Sequence, residues 1–151
     1  RQMCIRDRIS RGKIELTTSN AIASLANTLS KFAMDICLYM GKEYDFISFP
    51  NDLTTGSSIM PHKKNPDIFE LIRGKCNILK SLPTQITMLT ANLPSGYHRE
   101  MQLAKGPIID AVIEIKECLK IFTESLKFIK IKKNNSWYNN ILFINHSNHN
   151  W

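Results

Sequence analysis

The sequence lacks the features of several large protein classes. It has no apolar run of about 18 residues, the length that spans a membrane. Its start has no apolar stretch followed by small residues, as a signal peptide would have. The cysteines Cys4, Cys37, Cys76 and Cys118 are widely scattered and form no CxxC pair. This spacing argues against a disulfide framework or a zinc site and predicts reduced, mostly buried thiols in a cytoplasmic protein.

Glycine and proline are also scarce, with six of each in 151 residues. Neither a Gly-x-Ser-x-Gly elbow nor a phosphate-binding loop that ends in Gly-Lys-[Ser/Thr] occurs, so those hydrolase and nucleotide-binding motifs are excluded. The composition, 43% hydrophobic and 22% charged, is that of one globular domain. A formal net charge of +7 suits an anionic partner, either nucleic acid or acidic small molecules.

Changes in composition divide the chain into three parts. Residues 1–13 are basic and show no periodicity, which predicts an irregular, non-native head. Residues 14–133 carry helical periodicity and predict a partial central helical-bundle domain. Residues 134–151 are rich in asparagine and aromatics, which predicts an irregular, aberrant tail. His146 and His149 lie in that tail without partners, so we expect no metal site there.

Helical periodicity predicts an all-α fold made of long helices. The first helix is expected from about Ile14 to Met40, stopped by Gly41. A second is expected from about Pro66 to Leu82, closed by Pro83, with residues 84–93 as a continuation beyond a kink. The apolar residues expected on the inner face of the first helix are Ile22, Leu25, Ala26, Leu29, Phe32, Ala33, Ile36, Cys37 and Met40.

A third long helix follows a turn at residues 93–100. Its apolar residues alternate steps of four and three, as in a heptad seam between helices packed side by side. The predicted seam contains Ile108, Val112, Ile115, Leu119, Phe122, Leu126 and Ile129. Extending this seam backwards places Lys105 on the same face, where it either reaches a polar pocket or snorkels along an apolar surface.

Between the first two helices lies a loop of small and polar residues, 54–67. Asn65 is a good helix cap and Pro66 suits the first helical position, so we expect the second helix to start there. Hydroxyl, ammonium and amide groups at the positive end of a helix favour a bound carboxylate. A polar loop that merely caps a helix fits the same residue types. A nucleic-acid-binding surface is the third interpretation, but the lysines of this loop are close together and have no aromatic residues between them.

The loop also carries a specific resemblance. Gly56-Ser57-Ser58-Ile59-Met60-Pro61-x-Lys63-x-Asn65-Pro66 resembles the signature of the fumarase/aspartase superfamily. Members of that superfamily are helical homotetramers that eliminate fumarate from a succinyl-bearing substrate. The flanks Phe69–Lys75 and Leu93–Leu103 are similar to those of its argininosuccinate lyase branch. The resemblance covers about residues 14–133, which match only the later part of the catalytic region of that family.

The resemblance implies catalytic roles for three residues. Ser57 corresponds to the general base that takes a proton from the carbon next to a carboxylate. Lys63 corresponds to the ammonium that stabilises the doubly charged carboxylate of the carbanion intermediate. Glu70 corresponds to an acidic partner that orients a histidine supplied elsewhere. Residue chemistry alone does not rank Ser57 above Ser58.

Four further residues correspond to substrate contacts in the family: Asn65, Tyr97, Gln102 and Lys105. Asn65 would hydrogen-bond the substrate from the end of the loop. Tyr97 and Gln102 also fit a simple interface or surface role. The resemblance implies no metal and no organic cofactor.

The family builds each active site from three separated segments contributed by different subunits. The two earlier segments, with their threonine and histidine, are not found in this chain, and neither His62 nor His98 has their Thr-His context. We therefore expect a homotetramer with shared sites that acts on argininosuccinate, with this chain inactive alone. The alternatives are an adenylosuccinate lyase-like enzyme, which the stretch from Tyr97 to Lys105 argues against, and a non-catalytic helical scaffold. Neither nucleic acid nor a membrane is an expected partner.

Overall fold

Helices account for most of the described chain. A computed structural model describes residues 10, 12–56, 64–94, 96 and 98–132. Its α-helices are α1 (Lys13–Met40), α2 (Asp67–Leu79), α3 (Leu82–Thr90) and α4 (Lys105–Leu126), and short 3₁₀ helices cover Asn51–Leu53 and Arg99–Ala104. The prediction of an all-α fold of long helices is confirmed. The expected boundaries at residues 13–14 and 133–134 are not tested, and residues 1–9 and 133–151 lie outside the described part.

Helix α1 has the predicted extent and ends before Gly41. Its buried residues recur at steps of three and four: Ser19, Ile22, Ala26, Leu29, Ser30, Ala33 and Ile36. The predicted inner face was too wide, because Leu25 and Phe32 are 41% and 48% exposed. By length and mean hydropathy α1 is also apolar enough to cross a membrane. A core helix of a soluble protein has the same character, and the buried stripe of α1 packs within the bundle.

The second helix breaks earlier than predicted. Helix α2 ends at Leu79 and α3 begins at Leu82, so Pro83 lies in the first turn of α3 and does not close α2. Proline fits that position because the first-turn N–H groups have no intrahelical partner. The turn at Lys80 and Ser81 is closed by their N–H groups, which donate to the carbonyls of Cys76 and Ile78. The expected helical continuation after the break is therefore present.

Helix α4 is rotated relative to the predicted seam. Its buried residues are Ala111, Ile115, Cys118, Phe122 and Ser125. Of the predicted set only Ile115 and Phe122 are fully buried, and Val112 is 39% exposed. Small side chains occupy every seventh position of the observed seam, which lets α4 approach its neighbours closely. Lys105 is consequently an exposed residue and does not lie on the buried face.

Contacts along the bundle fix the direction of α1 against α2. Ser30 donates a hydrogen bond of 3.0 Å to Asn77 Oδ1, and Arg73 Nη1 lies 2.8 Å from Met34 Sδ. Later residues of α1 therefore meet earlier residues of α2. The two helices are antiparallel.

Helix α4 also runs against α2. Lys75 forms an ion pair with Glu114, and the rings of Phe69 and Phe122 lie 5.7 Å apart between centroids. Phe122 also stacks edge-on against Phe32 of α1 at 5.0 Å. The end of α1, the start of α2 and the end of α4 thus share one end of the bundle, which we call the stem end. The start of α1 and the start of α4 lie at the opposite end.

Two short antiparallel strand pairs close the stem end. Strand β1 (Ile47–Ser48) pairs with β4 (Lys130–Ile131), in the register Ile47↔Ile131. Strand β2 (Thr55–Gly56) pairs with β3 (Lys64–Asn65), in the register Thr55↔Asn65 and Gly56↔Lys64. The loop predicted for residues 42–60 therefore contains two short strands and a 3₁₀ helix in its described part.

Candidate active site

The β2–β3 pair, which we call the stem, is the feature that positions the signature segment. Directly paired residues of antiparallel strands have Cα atoms about 4.5–5.5 Å apart. Gly56 and Lys64, the last described residues on either side of residues 57–63, are such a pair. The two ends of that segment are therefore held together at the start of α2.

The helix start differs from the prediction by one residue. Asn65 belongs to β3, Pro66 occupies the capping position, and α2 begins at Asp67 without a side-chain cap. Because the backbone of Asn65 is committed to pairing with Thr55, its side chain does not cap the helix. Asn65 is half-buried at the junction of stem and helix. Its predicted contact with substrate remains a prediction.

Glu70 lies in the first turn of α2 and is exposed. Within the described part of the chain, no residue hydrogen-bonds its carboxylate. It lies close to α1, since it contributes to the electrostatics of Cys37. Burial raises the pKa of the Cys37 thiol, Arg73 opposes the rise, and the Glu70 carboxylate adds to it. Glu70 thus presents an acceptor at the stem end, in the first turn of α2.

Three predicted site residues, Ser57, Lys63 and Tyr97, lie outside the described residues. Their assigned roles remain predictions. Ser57 and Lys63 directly follow and precede the stem residues Gly56 and Lys64 in sequence.

Gln102 and Lys105 lie at the opposite end of the bundle. Gln102 belongs to the 3₁₀ helix before α4, and Lys105 is the first residue of α4. Both are exposed. From Lys105 to Phe122, which contacts Phe69 near the start of α2, α4 rises roughly 25 Å at about 1.5 Å per residue. A single copy of this fold therefore does not bring Gln102 and Lys105 to the stem end.

Sequence reasoning missed two polar groups at that opposite end. Glu15 Oε2 and His98 Nε2 are buried, and among the described residues neither atom has a hydrogen-bond partner. Glu15 follows Gly12 by one helical turn, and Gly12 packs against Thr90 and Met101. No pattern in the sequence distinguishes these two groups, because their burial depends on tertiary packing.

A cleft of about 420 Å³ opens between α2, α3 and α4, and its lining reaches Pro107, two residues after Lys105, but includes none of the predicted site residues. Its floor is apolar, with Leu79 and Leu82, and Asp110 and Glu114 lie at its rim. Across the described ranges, no group of three or more histidine, cysteine or acidic residues is placed to hold a metal ion. Cys37, Cys76 and Cys118 are free thiols.

Comparison with known proteins shows one consistent likeness. Residues 8–79 match a family model described as Lyase. An argininosuccinate lyase of Bacteroides thetaiotaomicron is 49% identical over 125 residues, which are 83% of this chain and 28% of that protein. Argininosuccinate lyases of Phocaeicola vulgatus and Thermotoga neapolitana are 47% and 37% identical, over 90% and 84% of this chain and 30% and 32% of theirs. The chain thus spans less than a third of the length of these curated relatives.

Proposed function

Given that this chain belongs to the fumarase/aspartase superfamily of lyases, we propose that it forms part of an argininosuccinate lyase. The proposed reaction is the elimination of fumarate from argininosuccinate, which leaves arginine. The likeness to curated argininosuccinate lyases over most of the chain supports this substrate. A cytoplasmic location and a role in arginine biosynthesis accompany the proposal.

The proposed chemistry begins at the carbon beside a carboxylate of the succinyl half. Ser57 removes a proton from this carbon, and the electron pair passes into the neighbouring carboxylate. Lys63 stabilises the second negative charge that develops there, as an ammonium in a water-poor site does most effectively. The electron pair then returns from the carboxylate to form the carbon–carbon double bond of fumarate as the carbon–nitrogen bond breaks. The electrons of the broken bond pass to the guanidino nitrogen, and that nitrogen takes up a proton. No residue described here is assigned to that second transfer.

The observation that carries this proposal is the stem. A serine is a weak base at its ordinary pKa and needs a fixed neighbouring positive charge. The pairing of Gly56 with Lys64 holds the ends of the segment that contains Ser57 and Lys63 within about 5 Å of each other. Asn65 follows Lys63 by two residues and Glu70 lies in the first turn of α2, so we assign Asn65 to a substrate contact and Glu70 to the orientation of a histidine from elsewhere.

The opposite placement of Gln102 and Lys105 supports sites that are shared between copies. In one copy these residues are separated from the stem end by about the rise of α4 from Lys105 to Phe122, roughly 25 Å. We therefore assign the stem of one copy and the Lys105 end of another to the same site, within a homotetramer. A single described copy holds no complete set of these groups, which supports the expectation that the chain alone is inactive.

A chimera tests the proposed function. The matching stretch of the Bacteroides thetaiotaomicron relative is replaced by the aligned part of this chain, and fumarate release from argininosuccinate is measured. We expect activity, and Ser57→Ala lowers kcat by about 10²–10⁴ because the base is lost. Ser58→Ala is the matched control and retains most of the rate.

Other results with the chimera would support an alternative function. A chimera that acts on adenylosuccinate in preference to argininosuccinate supports the adenylosuccinate lyase-like reading. A folded, tetrameric chimera without activity supports the non-catalytic scaffold. Full activity after Ser57→Ala shows that the base is another group.

A further inference from the structure

Helices α2 and α3 carry two stripes of residues along their length, one facing the bundle and one facing outward. Both stripes continue across the break at Lys80 and Ser81, because these two residues keep right-handed helical backbone angles. The inward stripe is buried and consists of Phe69, Ile72, Cys76, Leu79, Leu82 and Ile86. The outward stripe is exposed and consists of Leu71, Gly74, Ile78, Ser81, Gln85 and Met88.

The outward stripe has the spacing of a seam between packed helices. Its members alternate steps of three and four from Leu71 to Met88, as the contact positions of a coiled coil do. Leu71, Ile78 and Met88 are largely exposed, and none of the six residues is charged. A helix face that remains in water normally carries charged and polar residues, so this stripe is suited to being covered by another helix.

The order of large and small side chains makes the stripe complementary to an antiparallel copy of itself. A two-fold axis at the middle of the stripe places Leu71 opposite Met88, Gly74 opposite Gln85, and Ile78 opposite Ser81. No described atom lies within 4 Å of the place that a Cβ of Gly74 would take, so that side is open to Gln85 of a second copy. A parallel copy would place small residues opposite small ones and leave gaps at positions 74 and 81.

The antiparallel arrangement also brings opposite charges together. The first turn of α2 carries two acidic residues, Asp67 and Glu70. At the other end of the stripe, the 3₁₀ helix Arg99–Ala104 packs against α3, and with Lys105 it carries two basic residues and one acid, Glu100. The acidic start of α2 in each copy therefore faces the more basic end of the other copy.

We propose that the outward stripe is a self-association surface, on which a second copy of this chain packs antiparallel about a two-fold axis. Both copies contribute the same residues to such a contact. The start of α2 in one copy, with Glu70, then lies beside the element that carries Gln102 in the other. This contact is the surface through which the shared sites assemble, a consequence that rests on the proposed function.

The first measurement follows self-association of the 151-residue chain by sedimentation equilibrium. Ile78→Lys places two unpaired ammonium groups near the axis of every dimer, and we expect it to weaken association by about a hundredfold or more. Because Ile78 is exposed, thermal unfolding of the monomer stays unchanged. Ile131→Lys is the matched control, since Ile131 is similarly exposed but lies on β4, outside the stripe, and we expect association as in the parent chain.

The second measurement tests the direction of packing in the chimera. The Leu71→Cys and Met88→Cys chimeras are unfolded together, refolded, and treated with a short bis-maleimide. We expect a covalent dimer in the mixture that neither variant forms alone, because in the antiparallel pair two copies of the same position lie roughly 25 Å apart. The parent chimera, treated in the same way, measures the background from native cysteines.

Three results would overturn the inference. One is a 151-residue chain that sediments as a monomer, or whose association Ile78→Lys and Ile131→Lys weaken equally. Another is a Leu71→Cys chimera that cross-links with itself, which indicates parallel packing. The third is a mixture without cross-links, which indicates that another part of the protein covers the stripe.

These readouts separate the inference from the proposed function, because none of them requires activity. If the mixture cross-links as expected but the chimera releases no fumarate, the proposed function fails and the self-association surface stands. If the chimera releases fumarate but the mixture does not cross-link, the proposed function stands and the self-association surface is wrong.

Discussion

Two buried thiols lie near each other between α2 and α4. Cys76 and Cys118 are 0% and 1% exposed, and each thiol affects the pKa of the other. Burial raises the pKa of Cys76 to about 11, and the proximity of Cys118 adds to the rise. Burial raises the pKa of Cys118 as well. Both groups therefore prefer the neutral thiol in the folded protein.

The raised pKa of Cys76 predicts a loss of stability at alkaline pH. The unfolded thiol, with an ordinary pKa of 9.0, ionises first, so the folded state binds more protons between about pH 9 and pH 11. The contribution is complete below pH 9 and is lost as pH rises towards 11. From pH 8 to pH 10 we expect a decrease of roughly 1 kcal/mol in the free energy of unfolding.

Urea unfolding at several pH values measures this slope. Cys76→Ser removes the titrating thiol and flattens the slope by that amount, although the variant is less stable throughout. An unchanged slope in Cys76→Ser assigns the alkaline loss to other groups, such as the ion-paired Lys75.

Individual residues were predicted with uneven success. The spacing of the cysteines predicted reduced, mostly buried thiols, and the described thiols agree with this prediction. Asn65 as the helix cap was wrong, because strand pairing with Thr55 outweighed its local preference. Glu15 and His98 could not be predicted, since their burial arises from contact between distant elements.

At the scale of elements, two glycines have opposite environments. Gly12 precedes α1 with φ 83°, and a Cβ placed there would lie 2.4 Å from Thr90 Cγ2. Gly74 lies inside α2, where an added Cβ meets nothing within 4 Å. Glycine is required at position 12 by the backbone conformation and by the close contact with Thr90. At position 74 glycine lowers the stability of the helix.

Alanine substitutions at these glycines are expected to change stability in opposite directions. Gly12→Ala destabilises by about 1–3 kcal/mol, because it combines a left-handed backbone with a steric overlap at the end of α3. Gly74→Ala stabilises by about 0.5–1 kcal/mol through helix propensity. Thermal unfolding of the two variants beside the parent chain provides the measurement. A stabilising Gly12→Ala contradicts the packing of α1 against Thr90.

Helix positions were more predictable than helix orientation. The limits of α1 were predicted within one residue because periodicity and Gly41 both mark them. The rotation of α4 about its axis was not predicted, because this helix carries two heptad patterns. One consists of large apolar side chains, and the other has a small side chain at every seventh position. Packing selected the small set with Ala111 and Cys118, since it allows closer approach to α2.

At the scale of the molecule, one copy leaves much apolar surface uncovered. Leu71, Ile78 and Met88 are 66%, 72% and 74% exposed along α2 and α3. Soluble proteins that stay monomeric rarely expose large contiguous apolar patches. This surface is consistent with the proposed assembly, in which other copies cover it and supply the groups missing at each site.

Shared sites predict that two inactive chimeras rescue each other. Ser57→Ala disables the stem end and Lys105→Ala the opposite end, and along α4 these ends lie roughly 25 Å apart, the rise from Lys105 to Phe122. After the two variants are unfolded together and refolded, mixed tetramers contain some sites with both native groups. We expect partial recovery of fumarate release in the mixture.

Each variant refolded alone is the control and stays inactive. A mixture as inactive as its parts indicates that both groups serve the same site within one copy. The sequence alone could not place the groups at opposite ends, because a linear pattern does not show that α4 runs back along α2.

The closed stem also makes the signature segment an exchangeable cassette. Because Gly56 and Lys64 are paired neighbours, any replacement for residues 57–63 must start and finish at the same narrow gap. The bundle next to this gap contains the packed rings of Phe49, Phe69 and Phe122. Segments from related lyases can therefore be grafted between these two anchor residues, which separates the evolution of the chemistry from that of the scaffold.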